Sequence, residues 1–488
     1  MSSMIPRSSV TENQLEALTF YMPIGFPPLM YSSPGLFGKK EKKCFCYDIH
    51  DDNEGKKVVA IPLSAAEQME LPIPRPLLKK EGVIRGPYEF QNNLVVLKPN
   101  QVSALNKCLK QFEHTGSVIL CANTGFGKTV TACTLATNPS WLPSLSSEDK
   151  KGVIIVTHRT ILKQQWINTL KQKFHTTPEI SLTEFLSSSS SHPILITSPI
   201  KLTNELAAHI SKKKWIDVKL CIVDEVHAIM NETGVCALLK INCDFSIGLS
   251  ATPYRLDSRD ICLTNFYGGN MVNVKMERTP EAIKEVYVWK TGQQPPPLKI
   301  RGSNKVTWND IMDWQCFKRC GMDGLYRAVA EIHKTILLPG KTILFLTKRV
   351  CHAATATQAF TSHGLTVSNL CEKTKKTKKN TTNSEQPVDV IVATYLKAGE
   401  GFDVGSICGI VLACDMNARF IQVLGRIRCF NNPFNFVLEV LDNSPQLKKH
   451  FNSRLSIYRD CEYQIQEPMF NSLKAILSHI KRKHERIP

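Results

Sequence analysis

No stretch of the chain is both apolar and smooth enough to cross a bilayer as a helix. The one long uncharged run, Ala17 to Gly38, contains Pro23, Pro27, Pro28 and Pro34 together with Gly25, Gly35 and Gly38. Those residues would break a spanning helix repeatedly, so the run reads as extended, turn-rich packing and no membrane partner is expected. A basic start followed by an apolar core is also missing at the amino end, so the expectation is an intracellular, soluble chain, with nucleus or cytoplasm left open. Regular cysteine pairing is lacking too. The 17 cysteines are scattered, mostly inside apolar runs, and the close pairs Cys44-Phe-Cys46 and Cys316-x-x-x-Cys320 have no matching second half. That pattern excludes a disulfide framework and speaks against a zinc site; buried free thiols explain it. Acid is short relative to base, with 43 Asp and Glu against 61 Lys and Arg, a formal charge of +18. An excess of that size suits a polyanionic partner, nucleic acid first, although a merely basic soluble enzyme would show it as well.

A chain of 488 residues has room for two or three domains. Residues 1–95 are proline-rich and keep no long helical or strand rhythm; they read as an amino-terminal accessory region. From Leu97 onward short apolar runs alternate with helix-period or turn-rich stretches. Val118-Ile-Leu-Cys, Val153-Ile-Ile-Val, Ile194-Leu-Ile, Leu220-Cys-Ile-Val and Ile247-Gly-Leu are candidate buried strands, and their alternation indicates a parallel α/β sheet over 96–270. The rhythm lapses over 271–325, around Pro295-Pro-Pro297, which reads as a connector. It resumes over 326–465 with Thr342-Ile-Leu-Phe-Leu, Val388-Asp-Val-Ile-Val, Ile407-Cys-Gly-Ile-Val-Leu and Phe434-Asn-Phe-Val-Leu-Glu-Val, a second α/β unit of similar size. Residues 466–488 form a basic tail, ending in Lys481-Arg-Lys-His-Glu-Arg486; a frayed helix end is the plain reading, a nucleic-acid or nuclear-import patch the alternative. The basic tracts Lys39 to Lys43 and Lys373 to Lys379 are solvated loops by default and phosphate contacts by alternative.

Chemistry concentrates at two places. Ala122-Asn123-Thr124-Gly125-Phe126-Gly127-Lys128-Thr129 lies between a candidate strand and a helix-like run, the context that a phosphate loop requires. Its glycines let backbone N–H groups close around phosphate oxygens at a helix amino terminus. Lys128 would neutralise the outer phosphates of ATP, and Thr129 would place a hydroxyl on Mg2+. About a hundred residues on, the strand Lys219-Leu-Cys-Ile-Val223 ends in Asp224-Glu225. Adjacent carboxylates at a strand end can divide the work, Asp224 holding Mg2+ and Glu225 orienting and deprotonating the attacking water. An isolated Asp-Glu pair is usually just two solvated acids; the phosphate loop upstream is what changes the reading.

These residues carry a family resemblance. Asp224-Glu225-Val226-His227 resembles the DEVH box of superfamily 2 helicases, and Ser250-Ala251-Thr252 resembles their third motif, which couples hydrolysis to movement. Leu97-Lys-Pro-Asn-Gln101 is similar to the element that reads adenine, with Gln101 as the nucleobase contact. His158 and Arg159, with Gln165-Trp166, resemble motif Ia; Thr197 and Ser198 occupy motif Ib; both imply strand contacts. In the second unit, Lys341 to Leu346 resembles motif IV, and Ala393-Thr394 through Gly401-Phe-Asp403 resembles motif V. There Thr394 is implied on the strand, Gly401 and Asp403 on the nucleotide. Gln422-Val-Leu-Gly-Arg426 resembles motif VI. The resemblance covers roughly residues 97–430 and implies two tandem RecA-like parallel-sheet domains, ATP and Mg2+ as cofactors, and nucleic acid as partner, DNA ahead of RNA. It implies that ATP on the first domain is met by Arg426 of the second, with His227 linked to Gln422. Within the superfamily the chain is similar to helicases of the xeroderma pigmentosum B type and to poxvirus transcript-release helicases, with Pro253-Tyr-Arg255-x-Asp257 near their Arg-Glu-Asp element and Leu256 replacing its acid. That likeness implies a viral transcription or transcript-release role with RNA polymerase or transcription factors as partners.

One position departs from the pattern. Motif VI of the family has a second arginine three residues beyond its Gly-Arg; here that position is Cys429, and Arg428 stands one residue early. One residue on a helix is a rotation of about 100°, so Arg428 should point elsewhere. Either Arg426 carries the trigger alone, the local backbone re-registers Arg428, or hydrolysis is weak. Three further readings stay open: a duplex-DNA translocase that does not separate strands, an RNA helicase, and a nucleic-acid-binding adaptor that has lost turnover.

Overall fold

The computed structural model describes residues 2–23, 41–51, 55–71, 88–90, 93–123, 125–138, 152–208, 215–253, 260–274, 283–299, 306–372, 388–399, 406–416, 420–427 and 434–484. The chain divides into two units, Met1–Glu277 and Arg278–Pro488.

In the first unit six strands run parallel in the spatial order Ile194–Thr197, Val153–Val156, Ile216–Asp224, Ile241–Ser250, Ser117–Ala122 and Met271–Val274. Helices cover both faces, which is why the strands are near-continuous apolar runs rather than alternating ones. Successive residues serve opposite cores. Val153 and Ile155 pack with Leu120, Ile222 and Trp166 on one face, while Ile154 and Val156 pack with Val223, Leu195 and Phe185 on the other.

Residues 1–95 contribute strands to this same sheet. Ser2–Pro6 pairs in parallel with the start of Ile241–Ser250 through Ser2 and Asn242, and antiparallel with Lys57–Pro62, which in turn pairs with Asp48–Asp51. The Ser2 hydroxyl donates to Leu239 O at 2.7 Å, anchoring the edge. Within the stretch Ala17 to Gly38, Thr19–Pro23 is a strand paired with Glu41–Phe45, and residues 24–40, including the Lys39-Lys40 end of the basic tract, lie outside the described residues. Among the described residues no helix is long and apolar enough to cross a membrane.

The second unit is a seven-stranded parallel sheet in the order Val367–Asn369, Val390–Thr394, Thr342–Thr347, Ile407–Leu412, Phe434–Leu441, Ile283–Lys290, Gln464–Ile465. Ile343 and Phe345 face one core, Leu344 and Leu346 the other. Together the two units are tandem RecA-like parallel-sheet domains.

The stretch read as a connector, 271–325, is in its described parts structural. Met271–Val274 is an edge strand of the first sheet and Ile283–Lys290 an inner strand of the second. Its carboxyl half is pinned through Asp442, which accepts from Thr291 Oγ1 at 2.6 Å, Gln315 Nε2 at 2.7 Å and Arg319 at 3.0 Å. The basic tail likewise folds back. Helix Leu473–His484 buries Ile476 and Ile480 in the second core, and Lys481 and Lys483 pair with Glu331 and the buried Glu285. Two of its cations are therefore spent on the fold, and Arg486 lies outside the described residues. The Lys373–Lys379 tract also lies outside them.

A buried ionic network closes this unit. Arg454 Nε donates to Glu439 Oε1 at 2.9 Å and its NH1 to Asp415 Oδ1 at 3.0 Å, while Tyr458 donates to Glu439 Oε2 at 2.8 Å and His450 meets Asp415 at 2.6 Å. Burial would push the Asp415 carboxyl up, but the bonds from His450 and Arg454 outweigh it and hold the group below its ordinary value. Arg454→Met strands two buried carboxylates and is expected to remove about 3–5 kcal/mol from this unit's stability. Denaturant unfolding followed in the second unit checks it; an unchanged midpoint would mean that the network is incidental.

Candidate active site

The phosphate-loop segment leaves the carboxyl end of strand Ser117–Ala122 and enters helix Lys128–Thr137. Gly125 and Gly127 take φ of 93° and 90°, values that L side chains rarely adopt. At Gly127 a Cβ would also lie 2.5 Å from Gln101 Nε2, so a side chain there would displace the Gln101 amide as well as strain the backbone. Phe126 is buried in the core and its carbonyl accepts from Gln101 Nε2 at 2.8 Å; Gln101 Oε1 accepts from the Lys98 N–H at 2.9 Å. The side chain read as an adenine contact thus braces the loop from below, one bond from each end of its amide. Lys128 Nζ donates to Ala122 O at 2.8 Å and to Asn123 O at 3.5 Å, holding the ammonium over the loop at the helix amino terminus. Backbone N–H groups, a helix amino terminus and an ammonium are the elements that an anion site would use. Thr129 occupies the first turn of the same helix, half-buried; Thr124 lies outside the described residues.

Asp224 ends the strand Ile216–Asp224. Only Ile241–Ser250 separates that strand from Ser117–Ala122, so loop and carboxylates emerge on one edge of one sheet. Asp224 is 6% exposed. Its Oδ2 accepts from the Trp166 indole N–H at 2.8 Å and its Oδ1 from the Glu225 N–H at 3.0 Å. Burial first, and then the neighbouring Glu225 charge, push its carboxyl up to about 6, with Trp166 and Lys128 opposing. Lys128 is the cation that acts on this pair of acids; a carboxylate and a hydroxyl are oxygen donors of the kind Mg2+ takes, so Asp224 and Thr129, at the start of helix Lys128–Thr137, are the residues that would hold one. Glu225 adopts φ 49°, ψ 54°, a left-handed conformation uncommon for a residue with a side chain and frequent at functional positions. Its Oε2 is buried without a hydrogen bond, 3.5 Å from His227 Nδ1.

The middle strand carries Ser250. Its Oγ lies 2.9 Å from His227 Nδ1 and accepts from the Thr252 N–H at 3.0 Å, while Cys121 Sγ donates to Ala251 O at 3.8 Å. Ser250, Ala251 and Thr252 therefore link the carboxylate box to the strand that launches the phosphate loop.

Motifs Ia and Ib leave neighbouring parallel strands, bridged by the Thr157 N–H to Thr197 O bond of 3.0 Å. Arg159 Nε donates to His158 Nε2 at 3.1 Å, and Arg159 is the residue immediately before helix Thr160–Lys173. Ser198 Oγ accepts from Lys201 N at the start of helix Pro199–Ala208. Thr197, read as a strand contact, is fully buried, because a residue still inside a parallel sheet has both faces covered. In the second unit Thr394 ends its strand at 8% exposure, and Gln422 and Arg426 are both 7% exposed, on and just beyond helix Phe420–Leu424. Arg426 Nε donates to Ala398 O at 2.9 Å. Gly401, Asp403, Arg428, Cys429, Arg255, Leu256 and Asp257 lie outside the described residues. The cysteines whose side chains are described form no disulfide, and no group of three or more His, Cys, Asp and Glu that could hold a metal is found among the described residues. Sequence reasoning noted Trp166 only as part of motif Ia; a lone tryptophan in a polar helix was its sole signal.

Residues 94–255 match the family model described as Type III restriction enzyme, res subunit. Two similar proteins carry provisional helicase names. One is 161L of Invertebrate iridescent virus 6, 26% identical over 452 residues, covering 87% of this chain and 95% of the relative. The other is 055L of Frog virus 3, 27% identical over 365 residues, covering 75% and 78%. Among solved structures, S. cerevisiae Dbp5 bound to RNA and ADP BeF3 aligns with a TM-score of 0.50 at 13% identity, over 79% of this chain and 97% of that one, a likeness of fold. These likenesses support an ATP-hydrolysing helicase of superfamily 2, similar to proteins of large DNA viruses.

Proposed function

We propose that this helicase is a DNA motor of the DEVH type. ATP is held by Lys128 and the loop from Ala122 to Thr129, and water is activated by Glu225; Arg426 is the arginine to which the motif VI resemblance assigns the triggering of hydrolysis. Mg2+ held by Thr129 and Asp224 would offset phosphate charge during phosphoryl transfer. His158, Arg159, Ser198 and Thr394 contact the strand, with Thr197 shaping the loop from within. Each ATP cycle moves the strand by a step. The observation that supports this reading most is the convergence of phosphate loop, carboxylate pair and Ser250 on adjacent strand ends. DNA is placed ahead of RNA on the resemblance to helicases of the xeroderma pigmentosum B and poxvirus type; the match to the res subunit of a type III restriction enzyme is consistent with it. Similarity to transcript-release helicases carries the cellular role: freeing RNA from stalled transcription complexes, with polymerase components as partners.

ATPase rates compared across single-stranded DNA, duplex DNA and RNA test the substrate, with stimulation by single-stranded DNA expected. Stimulation by duplex alone, without strand displacement, would favour a duplex translocase; stimulation by RNA alone would overturn the DNA reading. Phosphate contacts dominate such binding, so affinity for the stimulating strand should fall by about two powers of ten between about 50 and 200 mM salt, for on the order of four contacts. A flat salt profile would contradict it.

A further inference from the structure

We propose that Trp166 is a positioning residue for the metal-holding carboxylate, and that it passes strand binding at His158 and Arg159 on to Asp224. The inference rests on the motor reading above and concerns how its two halves communicate.

The Trp166 indole N–H donates to Asp224 Oδ2 at 2.8 Å, with Trp166 at 1% and Asp224 at 6% exposure. A bond from a neutral donor to a buried carboxylate is charge-assisted and directional. With the Glu225 N–H on Oδ1, it fixes the plane of the carboxylate from both oxygens, leaving one lone-pair direction on each for a cation. Trp166 also sits in the core that contains Ala132, Cys133, Leu135 and Ala136 of the phosphate-loop helix, and Leu170 of its own helix. In a close-packed interior the indole cannot swing independently of its backbone. Helix Thr160–Lys173 begins at Arg159, and seven residues along a helix is about 10 Å, two turns. A strand that draws on His158 or Arg159 pulls on the end of a rigid rod whose second turn holds the metal carboxylate.

A purely structural account has Trp166 filling the core and Asp224 merely satisfying its N–H. The two accounts differ in what Trp166→Phe does: phenylalanine keeps the six-membered ring and loses the donor with the rest of the five-membered ring, and Leu170→Ala controls for the lost packing. Binding of Mn2+ by the full chain, followed by electron paramagnetic resonance with a non-hydrolysable ATP analogue, gives a readout that needs no turnover. Trp166→Phe is expected to weaken Mn2+ about ten-fold, as loss of an outer partner of a metal ligand does. The Mg2+ concentration for half-maximal ATPase should rise in proportion, and stimulation by single-stranded DNA should shrink. Leu170→Ala, a cavity in the same core that spares the indole N–H, should lower the melting temperature and leave Mn2+ affinity unchanged. Equal Mn2+ affinity in Trp166→Phe and wild type overturns the proposal, as does an equal loss in Leu170→Ala. A wild-type chain whose Mn2+ affinity matches that of Asp224→Asn removes the motor's metal site, and the proposal with it.

Discussion

Glu225→Gln is expected to lower the ATP hydrolysis rate by about 10²–10⁴-fold, the contribution of a positioned general base, while leaving ATP affinity near wild type. Glutamine keeps the size and the left-handed backbone of Glu225 but cannot accept a proton. The carboxylate suits the task because Oε2 is buried with no hydrogen bond to compete for the water, and His227 lies 3.5 Å away to limit its freedom. The anion site belongs to Lys128 and the phosphate loop, so a fluorescent ATP analogue should bind both proteins alike. A variant that keeps hydrolysis within a few-fold of wild type would show that water is activated elsewhere. Turnover in the wild type that disappears in the variant would also exclude the adaptor reading.

Arg426→Gln is expected to cost about 10³-fold in kcat with little change in ATP binding, as removal of a triggering arginine does. Its Nε bond to Ala398 O, at the end of the segment that follows Thr394, ties the guanidinium to the second unit's own motif V backbone. Arg426 is thus anchored within its own unit, and the proposed reading has it carry the trigger alone, with Cys429 where the family pattern has a second arginine. Arg428→Gln should then leave kcat within a few-fold of wild type. A loss as large as that of Arg426→Gln would show that the backbone re-registers Arg428 into the site. Thermal melting of both variants separates loss of trigger from loss of fold.

The site and the folded core were legible to different degrees. Gly127-Lys128-Thr129 and Asp224-Glu225 could be read because their chemistry depends on a few residues of fixed spacing at a strand end. The apolar runs such as Val153 to Val156 and Thr342 to Leu346 could be read because strands covered on both faces need no polar residue. Gln101 could be placed at the nucleotide end but not given its brace on Phe126 O, since that bond spans 25 positions. Ile283–Lys290 escaped notice because Lys284 and Glu285 interrupt its apolar pattern. Glu285 is tolerated inside by Tyr287, Gln466 and Lys483, the last lying 198 positions away.

By itself, then, the sequence determined what depends on local order: two parallel α/β units, and the glycine-rich loop and the Asp224-Glu225 pair at the ends of two of their strands. Tertiary structure alone decided which strands the amino-terminal region and the supposed connector join, that the basic tail is half spent on Glu285 and Glu331, that Thr197 is buried, and that Trp166 holds Asp224 from 58 positions away. The physical reason is common to all of them. A buried polar group must find a partner, and in a parallel sheet, where successive strands are joined by long crossovers, that partner comes from a distant part of the chain.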